Sequence, residues 1–133
     1  MPEPLLAAES IGKTYGTEIK TRALCDVSFE MQAGDFAAVI GKSGSGKSIL
    51  LNLLGLLDTP TEGTLRLNGH DAGAAGKRER ARMRNDSLGF IFQFHHLLPE
   101  FSGRENLPMP GWISGKATPQ PRRARADETL ARP

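Results

Sequence analysis

A single cysteine, Cys25, stands among 133 residues, which excludes a disulfide framework and any site built from paired thiolates. Such a lone thiol is expected to be buried and inert in a reducing compartment. Long apolar runs are missing too. The most apolar stretch, Ile49 to Leu57, is interrupted by Asn52 and Gly55 and falls far short of the ~20 residues a membrane-spanning helix needs. Met1 to Glu9 is acidic and proline-bearing, without a basic start and an apolar run. No secretory leader is expected there, and the chain is expected to stay in the cytosol.

Aromatic residues are scarce, at 6%, and net charge is only +2. The charge is uneven, however. Lys77 to Asp86 holds five basic and two acidic residues, and Lys116 to Pro133 repeats that balance. Basic patches can meet nucleic acid or an anionic membrane, or can simply be solvated helix faces. No aromatic is interleaved with these arginines, as stacking on single strands would require, so no nucleic-acid partner is expected. At 38% hydrophobic and 24% charged residues the composition is that of one globular domain with a real core.

What is present falls into an α/β pattern. Ser10 to Tyr15, Leu24 to Met31 and Thr64 to Asn68 read as strands, with Val27, Phe29 and Met31 alternating against Ser28 and Glu30. Phe36 to Ile40 and Leu88 to Phe92 are continuous apolar runs, the pattern of strands buried on both faces of a parallel sheet. Lys47 to Leu54 reads as a short buried helix, Arg78 to Asn85 as a polar one, and Arg122 to Ala131 as a third. Prolines at 99, 108, 110, 119 and 121 forbid long regular elements after Gln93.

Between the first apolar run and the buried helix lies Gly41-Lys42-Ser43-Gly44-Ser45-Gly46-Lys47-Ser48, a match to G-x-x-x-x-G-K-[ST]. Glycines at 41, 44 and 46 are expected to take positive φ and to let main-chain amides approach phosphate oxygens with no Cβ in the way. The amides then converge on an anion, and the helix opening near Lys47 adds its positive end. Lys47 would reach the β- and γ-phosphates and the Ser48 hydroxyl would ligate Mg²⁺, so the expected ligand is ATP with Mg²⁺. A glycine-serine turn before an ordinary helix is the bland alternative. The apolar run before the loop and the helix after it favour phosphate binding.

With the loop placed, the sequence up to about Trp112 resembles the ATP-binding subunit of ABC transporters. Tyr15, in Lys13-Thr14-Tyr15-Gly16, matches the aromatic that stacks on adenine in that family. Gln93, closing Leu88-Gly89-Phe90-Ile91-Phe92-Gln93, matches the glutamine that contacts Mg²⁺ and the attacking water. Ile49 sits where the family usually has a second hydroxyl residue on the phosphates; losing that hydrogen bond costs ~0.5–1.5 kcal/mol. Asn52 to Pro60 and Phe92 to Phe101 look most like the lipoprotein-releasing subgroup of bacterial envelope transporters, with the macrolide-exporter subgroup close behind.

The resemblance implies a P-loop NTPase fold: an antiparallel β-subdomain, an incomplete parallel core sheet and the start of a helical subdomain. Residues 1–93 would form the ATP-binding core and 94–133 the beginning of the helical part. It also implies catalytic roles for Lys47 and Gln93, metal contacts from Ser48 and Gln93, and nucleotide contacts from Tyr15, Gly41, Ser43, Gly44, Ser45, Gly46, Lys47, Ser48 and Ile49. Membrane-spanning transporter subunits would dock on the region after Gln93, where Phe94, Leu97, Leu98 and Phe101 could form an apolar patch or pack internally. A second copy of the ATPase subunit would complete the site, on the cytoplasmic face of the inner membrane. His95 and His96 are adjacent and point apart, a poor start for a metal site.

The family's serine-glycine-glycine signature, its Asp-Glu pair after an apolar strand and its later histidine are not found in these 133 residues. Asp127-Glu128 follows a basic stretch, Arg122 to Ala126, and is not expected to be that pair. Without a positioned base, worth typically ~10²–10⁴-fold, the chain alone is expected to bind nucleotide weakly and to hydrolyse it very slowly or not at all. Uncovered apolar faces are expected at the two parallel strands. Three functions stay open: the nucleotide-binding part of an envelope transporter, a binding-only remnant, or another phosphate-loop enzyme such as a small kinase or GTPase. The last explains the loop but not Tyr15, Gln93 or His95 to Phe101.

Overall fold

Small and β-branched residues at the start of the chain build the first strand, and a four-stranded antiparallel sheet grows around it. A computed structural model describes residues 2–94 and 96–109. The chain divides into two compact units, the first running to Ala81 and the second starting at Arg82. In the first unit lie β1 (Leu6–Tyr15), β2 (Thr21–Met31), α1 (Lys47–Leu54), β3 (Glu62–Leu67) and β4 (His70–Asp71). The sheet order is β2-β1-β3-β4, all neighbours antiparallel. The helix α2 (Lys77–Ser87) spans the division, and α3 (Gly103–Asn106) belongs to the second unit.

The strands expected at 10–15, 24–31 and 64–68 are present, each starting two to four residues earlier than the apolar pattern suggested. Three register shifts interrupt the β1–β2 pairing, two of them at residues with positive φ. On β1 the pairs Ala8↔Phe29 and Ile11↔Val27 leave one extra residue on β1, where Ser10 has φ 47 and its N–H donates to Ser28 Oγ at 2.7 Å. On β2 the pairs Ile11↔Val27 and Lys13↔Leu24 leave an extra residue near Asp26, which has φ 45. A bulge resets the in-out alternation of a strand. Val27, Phe29 and Met31 are part-buried on one side of it, and Leu24 is buried on the other. Cys25 falls within the shift and is exposed, not buried as its residue type suggested.

Leu53 and Leu56 from α1 and its following turn join Ile11, Leu24, Leu65 and Leu67 in the core. Burying such side chains contributes roughly 1.5–3 kcal/mol each. The helix stops at Gly55; Leu56 then takes φ 56, and the N–H groups of Leu57 and Asp58 donate back to Asn52 O at 2.9 and 3.3 Å. No residue of α2 is buried. Lys77, Arg78 and Arg82 are exposed, as on a solvated helix face, whereas Arg80 and Arg84 are part-buried.

Two expected strands are absent. Residues 36–40 and 88–92 form neither strand nor helix. Phe36 and Ile40 are 99% and 92% exposed and Ile91 is fully so. An apolar run becomes a buried parallel strand only where neighbouring strands satisfy its N–H and C=O groups. Among the described residues neither segment is given such a neighbour. The uncovered apolar faces expected from the sequence are present. In the second unit Ser102 caps α3 in a capping box with Glu105, and the Asn106 side chain bonds Leu98, Phe101 and Ser102, which holds the 98–102 loop. The helix expected over 122–131, the Asp127-Glu128 pair, the basic stretch 116–133 and His95 lie outside the described residues.

Candidate functional site

The loop at 41–48 is shaped by its lysine. Lys47 Nζ donates to Gly41 O and to Lys42 O at 2.7 Å, with Ser45 Oγ at 3.4 Å. Ser45 N–H closes a turn on Lys42 O at 3.1 Å. Carbonyls of the loop are thus gathered on one cation. Gly44 and Gly46 have φ +79 and +92, as expected, but Gly41 does not take positive φ. What requires glycine at 41 is space: a Cβ there would lie 2.6 Å from Ser45 Oγ and 3.7 Å from Lys47 Cδ.

The start of α1 lacks every ordinary internal partner. Gly46 is its N-cap and offers no side-chain acceptor, and no acidic residue stands in the first turn. The first i→i−4 bond is Leu50 N–H to Gly46 O. The N–H groups of Lys47, Ser48 and Ile49 are therefore left for an external acceptor, beside an ammonium and at the positive end of the helix. An open pocket of about 440 Å³ adjoins them, lined by Ser43, Gly44, Gly46, Lys47, Ser48 and Ile49. Orphan donors, a cation and no carboxylate suit a polyphosphate. Ser48 is exposed there.

Tyr15 closes β1 and is 42% exposed. Its hydroxyl donates to Asp58 Oδ2 at 3.0 Å, and Lys13 Nζ lies over its ring, 5.0 Å from the centroid. Lys13 Nζ also donates to Asp58 Oδ1 at 2.8 Å and to Thr59 O at 2.7 Å. Partial burial and the Asp58 carboxylate push the Tyr15 phenol up. Burial pushes Asp58 up as well, but hydrogen bonds from Lys13, Thr59 N–H and Tyr15 outweigh it and hold the carboxyl below its ordinary value. Neither Lys13 nor Asp58 was a candidate from the sequence. They lie 45 residues apart, and an aspartate after a helix-ending glycine reads as turn chemistry.

The sheet brings Tyr15 and the loop to one end of the unit. Lys13 pairs with Leu24 and Tyr15 with Thr21. Gly46 packs on the same part of β2, since a Cβ on it would meet Ala23 O at 2.9 Å and Leu24 Cδ1 at 3.6 Å. Gln93 is exposed and lies in the second unit. Phe94, Leu97, Leu98 and Phe101 after it are all exposed, from 43% to 68%. No helix among the described residues is long and apolar enough to cross a membrane.

The profile of a family described as ABC transporter matches residues 24–132. The chain is 47% identical over 108 residues to the lipoprotein-releasing system ATP-binding protein LolD of Bordetella pertussis, covering 80% of this chain and 47% of that protein. It is 46% identical over 130 residues to LolD of Pseudomonas syringae pv. tomato, covering 96% and 56%. The chain thus spans about half the length of the curated relatives it matches. Among solved structures, the dimeric ATP-binding cassette MJ0796 in a post-hydrolysis state bound to ADP and Pi superposes with TM-score 0.84 at 34% identity, over 94% of this chain and 55% of that one.

Proposed function

The chain belongs to the ATP-binding family of ABC transporters, and from that premise we propose that it holds MgATP on the loop 41–49, with the base on Tyr15, as part of a subunit that drives lipoprotein release from the inner membrane. The observation that carries this reading is the uncapped start of α1 beside Lys47. The free N–H groups of Lys47, Ser48 and Ile49 donate to phosphate oxygens, and Gly44 and Gly46 keep side chains out of the way. Lys47 exchanges its loop carbonyls for anionic oxygens, so that both partners of the hydrogen bond carry charge.

Bound Mg²⁺ would supply charge neutralisation across the β- and γ-phosphates. Ser48 Oγ is the residue of the first unit suited to hold it. Phe94, Leu97, Leu98 and Phe101 form the face for membrane-spanning subunits on the cytoplasmic side, since an exposed apolar cluster suits a partner. A second copy of the subunit completes the site. The names of the LolD relatives and the dimeric cassette support the substrate class and the pairing.

Equilibrium titration of the full chain with MgATP tests the site. Lys47→Ala removes a charge-assisted hydrogen bond of ~1.5–3 kcal/mol, so its Kd should rise roughly 10- to 150-fold. Equal affinities for the two proteins would refute the assignment.

A further inference from the structure

The Asp58 carboxylate accepts three hydrogen bonds and its N–H donates a fourth, and these ties converge from two directions. From β1 come Tyr15 Oη, at 3.0 Å from Oδ2, and Lys13 Nζ, at 2.8 Å from Oδ1. From its own turn come Thr59 N–H, at 2.8 Å from Oδ1, and the tie of Asp58 N–H to Asn52 O in the last turns of α1. The turn is fastened to β1 at two further points. Thr61 N–H donates to Gly12 O at 2.8 Å, and Thr14 N–H donates to Thr61 Oγ1 at 3.0 Å. One end of α1 is therefore the phosphate loop, and the other end holds the tyrosine.

We propose that Asp58 is a positioning residue for the nucleotide base: it clamps the Tyr15 hydroxyl and the Lys13 ammonium, fixing the ring in orientation and at a set reach from the phosphate loop. Lys13 Nζ sits over one face of the ring. A base can then stack only on the opposite face, and the cation reinforces the ring's hold on one orientation. A tyrosine 42% exposed at a strand end would otherwise turn freely about its side-chain bonds. Ordering it before binding removes an entropic cost from the binding step. The inference rests on Tyr15 being the base platform, and the test separates the two.

The full chain and its variants Tyr15→Phe, Asp58→Ala, the double variant and Tyr15→Ala are titrated with MgATP and with magnesium tripolyphosphate, which has no base. Tyr15→Phe keeps the ring and removes only the clamped hydroxyl. Loss of one hydrogen bond converts to about threefold to tenfold in Kd. Tyr15→Phe should weaken MgATP by that factor and Asp58→Ala by at least as much, since it also releases Lys13, and the double variant by no more than Asp58→Ala alone, because the Tyr15–Asp58 bond is already lost there. Tripolyphosphate affinity should not move. If Tyr15→Ala weakens MgATP while Tyr15→Phe and Asp58→Ala bind like wild type, the clamp is wrong and the platform stands. If Tyr15→Ala also binds like wild type, both fall. Additive losses in the double variant, or equal weakening of tripolyphosphate by Asp58→Ala, would overturn the positioning role.

Discussion

Adding one methyl group at Gly46 should damage the protein more than adding the same group at Gly44. Both residues have left-handed backbones, with φ +92 and +79, and an L side chain there costs ~1–2 kcal/mol. The two sites differ in what surrounds them. A Cβ at Gly44 meets nothing within 4 Å, whereas one at Gly46 lies 2.9 Å from the carbonyl oxygen of Ala23, a backbone atom of β2 that cannot rotate aside. Forcing α1 away from the strand adds an overpacking cost of ~1–3 kcal/mol. Gly44→Ala should therefore lose ~1–2 kcal/mol and Gly46→Ala ~2–5 kcal/mol of unfolding free energy. Urea unfolding of the two variants and wild type, read at constant slope, gives both values. The comparison cancels the shared backbone term. A Gly46→Ala loss equal to or smaller than that of Gly44→Ala would mean that the loop does not rest on β2 as described.

Cys25 is exposed at the β2 bulge, so a thiol reagent should label it in the native protein nearly as fast as in denaturant. Protection until unfolding would contradict the bulge. Tyr15 is the sole tyrosine, so its ultraviolet phenolate signal reports one group. Burial and Asp58 hold it above its ordinary value, so its midpoint should exceed ~10, and Asp58→Ala should bring it down; an unmoved midpoint would break the pairing. The raised phenol stabilises the fold fully below ~pH 10, and that contribution is lost as pH rises through its folded value. Asp58 has the opposite sign: held low, it contributes above ~pH 4, and that part is lost as pH falls through its folded value.

The loop at 41–48 and the helix after it could be read from the sequence because their geometry is local. Eight consecutive residues supply the turn, the donors and the cation, and Lys47–Leu54 forms the helix the pattern required. The reason for Gly41 was not legible, since it depends on where Ser45 Oγ ends up. The clamp at Asp58 was hidden for a related reason: Lys13 and Tyr15 reach it across more than 40 residues through β1 pairing and the turn after α1. Residues 36–40 and 88–92 show the limit of hydropathy. Val39 and Ile40, like Phe90 and Ile91, are as apolar as any buried strand, yet pairing decides whether a strand forms. Cys25 was expected to be buried from its residue type alone, and its place in the irregular part of β2 leaves it exposed.

We propose that main-chain amides at the start of α1, with Lys47, hold polyphosphate. Titrating the isotopically labelled chain with magnesium tripolyphosphate and following each amide resonance measures this at the atoms concerned. The shifts should centre on Gly44, Gly46, Lys47, Ser48 and Ile49 and saturate together. Silent amides at those five positions, with binding recorded elsewhere or not at all, would contradict it.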